Sequence, residues 1–453
     1  LDEATGRWAA TVARRLSRSS GVVDRFCVFF RLTPFKDESS KRLAFEEALT
    51  GWKLSRKHEV LFPTDLNDLK LVPGFPYSYW ATHNLRELFV KHPPLDRDQA
   101  RKPKAIKIAD AVVGLQTSDD DRFVRYFWEV RPADIGLGKK WVSFARGAGQ
   151  KFYTDIDSVV LWENNGKEIK EFAELTGKPR VQNESYYFRE GLSWSLIASS
   201  VGLDLRLLPA GVIFSHAAHS MFPVKDEQRF PLLALFNSLL ITFLFTMLDP
   251  LLHNRTNGQV ALLPIAPAVL HSKYLCSLAS EACDILRENC TADEISPFFI
   301  KPMILRILHG FGRGGKPITG HPLAEQFQWS DCESVNQVRR IRGSATMTIR
   351  KLAELCLERE KLIQKRLDEL QRLIDDEVYD LYKISNEDRS LTERELKLIE
   401  GQLQSDRDEG SESPEQTEQT MQDRESRIKD YVMRLISFYV KRAVESDEDG
   451  IVP

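Results

Sequence analysis

Residues 182–223 read QNESYYFREGLSWSLIASSVGLDLRLLPAGVIFSHAAHSMFP. Paired aromatics (Tyr186, Tyr187, Phe188) lead to Arg189-Glu190 and then to Ser193-Trp194-Ser195. A short apolar strand follows at Gly211 to Phe214, and a turn at Met221 to Pro223. Aromatics interleaved with Arg and Ser set flat apolar faces beside hydrogen-bond donors, which suits phosphates and base edges. The same rings also fit a buried strand and turn, since large aromatics bury most of their area. Tyr186, Tyr187, Arg189, Ser193 and Trp194 are therefore candidates for either a nucleic-acid surface or a core.

Upstream, Val112 to Leu115 reads as a strand, Gln116 to Asp121 as a polar turn, and Phe123 to Trp128 as a second strand. The expectation is a hairpin with Gln116, Thr117, Ser118 and three aspartates at its tip. Clustered aspartates invite a metal, but at a turn they fit solvation or Asx capping better. Arg122 and Arg125 offset their charge. Lys139-Lys140-Trp141 and RGAGQKFY (residues 146–153) form a basic, glycine-bearing segment. Lys139, Lys140, Arg146 and Lys151 are candidate phosphate contacts, with Tyr153 beside them; a solvated basic face is the plainer reading. GAGQK lacks the spacing of a phosphate-binding P-loop, as does the glycine-rich loop at residues 310–316. LWENNGKEIK (residues 161–170) reads as a strand, a turn at Asn165-Gly166 and a helix start. His216 and His219 lack a carboxylate spaced to complete a metal site. Ser193 and Ser195 lack a nucleophile elbow.

The order of these words carries a resemblance. VPGFP (residues 72–76) with Tyr79-Trp80, GLQT leading to Asp121-Arg122-Phe123, Trp128-Glu129-Val130, and LWENNG (residues 161–166) come upstream of the quoted stretch. LLALFNS (residues 232–238) and LLPI (residues 262–265) come after it. The succession resembles the target-recognition part of the large adenine-specific DNA methyltransferases of phage-defence systems, nearest to the BREX methyltransferase PglX. DISARM methylases and single-chain type II restriction–modification enzymes look similar. In that family a G-[LI]-x-T-G-x-N-x-x-F hairpin opens the specificity domain; here Ser118 replaces the glycine and Asp120 the asparagine. The resemblance implies DNA recognition by Gln116, Thr117 and Arg122 together with the candidates above. It also implies double-stranded DNA and other phage-defence proteins as partners.

The formal charge is -3 over 453 residues, which gives no global basic signal; a large protein can still confine basic charge to one face. Six cysteines show no CxxC pair. Cys276, Cys283 and Cys290 recur every seven residues, as small apolar residues on one helix face would. A reducing cytoplasm is the expected compartment. The chain begins at Leu1, which reads as part of something longer. Residues 230–248 carry no charge, and a buried helix is preferred to a membrane span.

The expected fold class is α+β: a mixed α/β target-recognition domain followed by a helical C-terminal region with a long helix. Residues 1–70 read as a helix at 8–16, a strand at 25–31 and a helix at 41–49, and the resemblance implies that they are the trailing edge of a methyltransferase domain. Residues 71–265 form the recognition domain, which begins with a helix over 77–90 capped by Ser78. Residues 266–345 are a helical spacer. Residues 346–404 hold the long helix, with apolar periodicity from Ile349 to Leu381. Residues 405–424 are an acidic linker, and residues 425–453 a final helix and tail.

An adenine methyltransferase of this kind needs a glycine loop for S-adenosylmethionine and an Asn-Pro-Pro-Tyr word that holds the flipped adenine. Neither occurs in these 453 residues; His92-Pro93-Pro94-Leu95 lacks both amide and aromatic. The chain itself is expected to hold no cofactor and no catalytic residue. S-adenosylmethionine is expected of the full-length family enzyme. A methylase-linked endonuclease would need a PD-(D/E)xK site, which is not found. The competing reading is a non-enzymatic assembly subunit that binds proteins through its helices.

Overall fold

The structure is a computed structural model. It describes residues 26–35, 37–54, 58–178, 180–197, 200–249, 254–309, 321, 323, 347–408 and 416–446. The expected helix at 8–16, the loop at 310–316 and the tail at 447–453 lie outside these residues.

Two four-stranded sheets form the middle of the chain. The first runs β3 (Ala109–Val112), β10 (Ala218–Pro223), β7 (Gly191–Ser195), β8 (Arg206–Leu208), all antiparallel. The second runs β4 (Val124–Tyr126), β6 (Ser158–Leu161), β5 (Trp141–Ala145), β9 (Val212–Phe214). In it β9 pairs parallel with β5, Ser143 opposite Val212. A smaller hairpin, β1 (Phe26–Phe30) with β2 (Leu61–Asp65), precedes them and is joined by the helix Glu38–Lys53. With helices gathered in the C-terminal region, the α+β class holds.

The expected hairpin across residues 112–128 does not form. Its two strands enter different sheets. The reason lies in Gly114 and Asp119. A Cβ on Gly114 would sit 1.9 Å from the Phe214 carbonyl oxygen. Without one, Leu115 bridges to Ser215 instead of turning back. Asp119 then caps a helical turn, Asp120–Phe123, by accepting from the Arg122 N–H at 3.1 Å. Asp119 is thus used for capping and Asp121 is exposed, the plainer of the two sequence readings, while Asp120 pairs with Arg146.

Apolar residues from Val72 to Ile399 form one continuous core. The stretch quoted first contributes Tyr187, Leu192, Trp194, Phe214 and Phe222 to it. Trp194 is fully buried and its indole N–H donates to the Arg255 carbonyl at 2.8 Å. The uncharged run at 230–248 is two helices rather than one, Arg229–Phe236 and Leu239–Leu248, bent by 77°. Asn237 and Ser238 cause the break. The Asn237 amide clasps the backbone of Leu205, accepting at 2.9 Å and donating at 2.8 Å, and Ser238 caps the second helix. Among the described residues no single helix is long and apolar enough to cross a membrane.

The long helix is Ile349–Tyr382, 34 residues with Thr348 as N-cap and left-handed Lys383 at its end. Its C-terminal half packs Leu370, Ile374 and Val378 into the main core. Tyr382 donates to the Pro264 carbonyl at 2.8 Å and accepts from Ala266 N–H at 3.1 Å. Its N-terminal half joins a second cluster through Leu352, Ala353 and Cys356, with Ile304 and the final helix's Ile428 and Leu435. The apolar interior therefore does not stop at residue 265; one helix ties two cores together.

Three smaller expectations shift. The helix expected over 77–90 begins at His83 with Thr82 as cap, because the Ser78 carbonyl is taken by Arg86. The spacer helices expected over 269–289 and 297–308 run Lys273–Cys290 and Met303–His309. Helical backbone reaches into the acidic run from both sides, in the helices Asn386–Asp408 and Gln416–Ser446. Glu and Gln are good helix formers, so low apolar content there did not prevent helix.

Candidate nucleic-acid interface

Strand β5 is the axis of the candidate surface. At about 3.3 Å per residue its five residues span about 17 Å, with Lys139-Lys140 before its first residue and Arg146 after its last. The sequence-predicted cations therefore stand at two separate corners.

The Arg146 corner is built from interlocked loops. Leu115 pairs with Ser215, and Gln116 bridges Arg180 through both backbone bonds, 3.1 and 2.9 Å. Gly147, at φ 109°, lies against Ala217, where a Cβ would meet the Ala217 carbonyl oxygen at 2.3 Å. Gly147 of RGAGQKFY thus serves packing between loops, while exposed Gly149 lies against the Thr154 side chain of its own segment. Arg146 is exposed and pairs with Asp120 at 2.7 Å; Asp120 also accepts from the buried Thr117 hydroxyl. Arg122 pairs with Glu168 at 2.7 Å and lies over the Phe123 and Phe172 rings. One predicted phosphate contact, Arg146, and one predicted DNA contact, Arg122, are thus already held by carboxylates. Arg180 is an exposed cation that the fold brings here and that the sequence reading missed.

The lysine corner differs. Lys139 and Lys140 are exposed. The Lys140 carbonyl accepts from Trp162 N–H at 2.9 Å, which brings the turn Asn164-Asn165-Gly166 alongside. All three turn residues are left-handed, at φ 49°, 60° and 70°. Asn164 and Asn165 are exposed. Lys139, Lys140, Asn164 and Asn165 have no side-chain partner among the described residues.

Several candidates are interior. Thr117, Tyr153, Tyr187, Ser193 and Trp194 are all at most 5% exposed. Tyr153 donates to Asp155 at 2.9 Å, Tyr187 to the Gln182 carbonyl at 3.0 Å and Ser193 to the His219 carbonyl at 3.2 Å. Burial pushes both Tyr153 and Tyr187 above the usual phenol range. These side chains offer no surface to a duplex in this fold; their role is packing. Tyr186 is half-buried against Phe222, and exposed Arg189 lies over its ring at 5.1 Å.

Lys151 is exposed but donates to Gln371 of the long helix at 2.7 Å. It edges a cleft of about 640 Å³ between residues 150–152 and that helix. Gln371 passes the contact on to Asp375, at 3.1 Å, and Asp375 accepts from Leu239 N–H at 2.7 Å. Burial raises the Asp375 carboxyl to about 6.

Two exposed rings escaped the sequence reading. Tyr126 and Trp128 stack at 4.6 Å and 5°, while Phe127 between them is anchored with Ile135 and Val159. Alternation of in and out along a strand end was the available signal.

No metal site emerges: among the described residues no group of three His, Cys, Asp or Glu could hold an ion. His219 is buried, its Nδ1 accepting from Asn257 N–H at 3.0 Å, and burial lowers its pKa to about 4. Cys283 lies under the Phe152 carbonyl at 3.3 Å, as its helix-face spacing implied. S-adenosylmethionine does not fit the loops at Gly114 and Gly147, where the space beside each buried glycine is taken by the backbone of Phe214 and of Ala217.

No family model matches the chain. It is 28% identical over 286 residues to the adenine-specific methyltransferase BrxX of Escherichia coli O9:H4 (strain HS), covering 61% of this chain and 21% of that protein. It is 27% identical over 288 residues to the adenine-specific methyltransferase PglX of Lacticaseibacillus casei (strain Zhang), covering 61% of this chain and 22% of that protein. The chain thus spans about a fifth of the length of the curated relatives it matches. The resemblance to BREX PglX-type proteins holds.

Proposed function

We propose that this chain carries the DNA target-recognition function of a site-specific adenine-N6 methyltransferase of BREX type. In this reading it works in the cytoplasm with other phage-defence proteins, and methylation marks host DNA as self. The observation that supports this is the similarity to two adenine-specific methyltransferases in a chain whose 453 residues hold neither an Asn-Pro-Pro-Tyr word nor a glycine cradle for S-adenosylmethionine. Methyl transfer and its cofactor would belong to residues other than these. Duplex DNA would meet exposed members of the candidate set, among them Lys139, Lys140, Arg146 and Arg189, with the half-buried Gln116 and Tyr186 beside them. Phosphate contacts would set the register and a few base-edge contacts the site.

The test is duplex binding by this chain across a salt series. Wild type should bind more weakly as salt rises. Lys139→Ala/Lys140→Ala should weaken binding and reduce the slope of log K against log salt by about 2, since each lost phosphate contact removes about 0.9. No binding at low salt would overturn the reading.

A second reading has one observation in its favour. Met433, Ile436, Val440 and Val444 make an exposed apolar stripe on the helix Gln416–Ser446, opposite the face that Ile428 and Leu435 bury. A protein partner on that stripe would favour an assembly role.

A further inference from the structure

The geometry points to the Asn164-Asn165 turn as a second half of a backbone-phosphate site, closing on duplex DNA together with Lys139 and Lys140. The inference rests on the DNA-recognition reading and adds two residues to it.

Three features of the turn support the assignment. First, it is fixed in place. Trp162 N–H bonds the Lys140 carbonyl at 2.9 Å and Gly166 N–H bonds the Trp162 carbonyl at 3.2 Å. A Cβ on Gly166 would lie 2.7 Å from the buried Trp162 ring, so the turn is pressed onto that indole. Second, its conformation is costly. Consecutive non-glycine residues in the left-handed region are uncommon, and asparagine is among the few side chains that tolerate it. Glycine would be the cheaper residue at both positions if shape alone mattered. Third, the side chains are free. Asn164 and Asn165 are exposed and, with Lys139 and Lys140, have no partner among the described residues. Glu163 is the acid in the same turn, which leaves the corner one positive charge in excess.

Two amide donors and two ammonium groups on adjoining segments match the acceptor oxygens of a phosphodiester. The pairing of neutral and charged donors makes a distinctive prediction. Lysine contacts release counterions and set the salt slope; amide contacts add affinity without changing it.

The experiment compares the full chain with Asn164→Gly/Asn165→Gly on several unrelated duplexes, each over a salt series, with thermal melts alongside. Glycine keeps the left-handed turn, so the melting temperature should hold. Affinity should fall about three- to tenfold, equally on every duplex, as expected for lost phosphate contacts, with the salt slope unchanged. An unchanged affinity would overturn the inference while leaving the recognition reading intact. A loss confined to some sequences would also overturn it, because it would make these residues base readers. If wild type binds no duplex at all, both readings fall together.

Discussion

The two ends of strand β5 carry similar numbers of candidate cations and treat them oppositely. At the Arg146 end, loops lock together through glycine-enabled contacts, and Arg146 and Arg122 are neutralised by Asp120 and Glu168. At the Lys139 end, the lysines and the neighbouring asparagines point outward without partners among the described residues. A basic residue in a sequence is a candidate ligand contact; a basic residue already paired is first a piece of the scaffold. Apart from Arg180, the unpaired cations lie at the lysine end, and the arginine end spends its charge on architecture.

The largest expected effect breaks the arginine end outright. Gly114→Ala would drive a methyl group into the Phe214 backbone carbonyl, which cannot swing aside as a side chain would. Overpacking against backbone should destabilise the chain by about 3 kcal/mol or more, read as a lower urea midpoint. An unchanged midpoint would mean that the join between the two sheets is looser than the contact implies.

The next effect concerns the Lys151–Gln371–Asp375 chain, which extends the arginine end onto the long helix. Asp375 has its folded pKa raised to about 6 from an ordinary 3.8. The folded state therefore binds this proton more tightly than the unfolded state. The cost of ionising Asp375 is absent below about pH 4, grows as pH rises through 6, and is full above it. The shift corresponds to about 3 kcal/mol. Asp375→Asn should remove this fall, so the stability difference between variant and wild type should widen in the variant's favour from pH 4 to 6. A constant difference would show that the carboxylate is better solvated than its burial suggests.

The smallest effect sharpens the comparison by making one end resemble the other. Asp120→Asn removes the carboxylate that holds Arg146. An exposed ion pair is worth about 0–1 kcal/mol, so stability should barely move. Duplex affinity should rise a few-fold and the salt slope by about 1, as one more cation becomes available. No change in binding would place Arg146 away from the DNA altogether.

Much of the fold was legible in the sequence. Ile349 to Leu381 announced the long helix because its apolar residues recur at helical spacing, and the spacing of Cys276, Cys283 and Cys290 placed them on one face. The hairpin at residues 112–128 was misread because each strand looks alike in either sheet. What separates them is the Phe214 backbone packed against Gly114, a contact a hundred residues away in the chain. The apolar run at 230–248 was correctly read as buried but not as broken, since Asn237 finds its partner at Leu205.

The candidate site was less legible, and for one physical reason. Residue type determines what chemistry a side chain has, and the sequence alone supplied that: cations around β5, amides at Asn164-Asn165, aromatics at 186–194, and an order of words resembling PglX-type proteins. Whether that chemistry faces outward depends on which side of a sheet the residue falls and what else lies there. Tertiary structure alone put Trp194, Ser193 and Tyr187 into the core, gave Arg146 and Arg122 to carboxylates, and left Lys139, Lys140 and the asparagine turn exposed. Burial and pairing are properties of neighbours distant in the chain, so no local pattern encodes them.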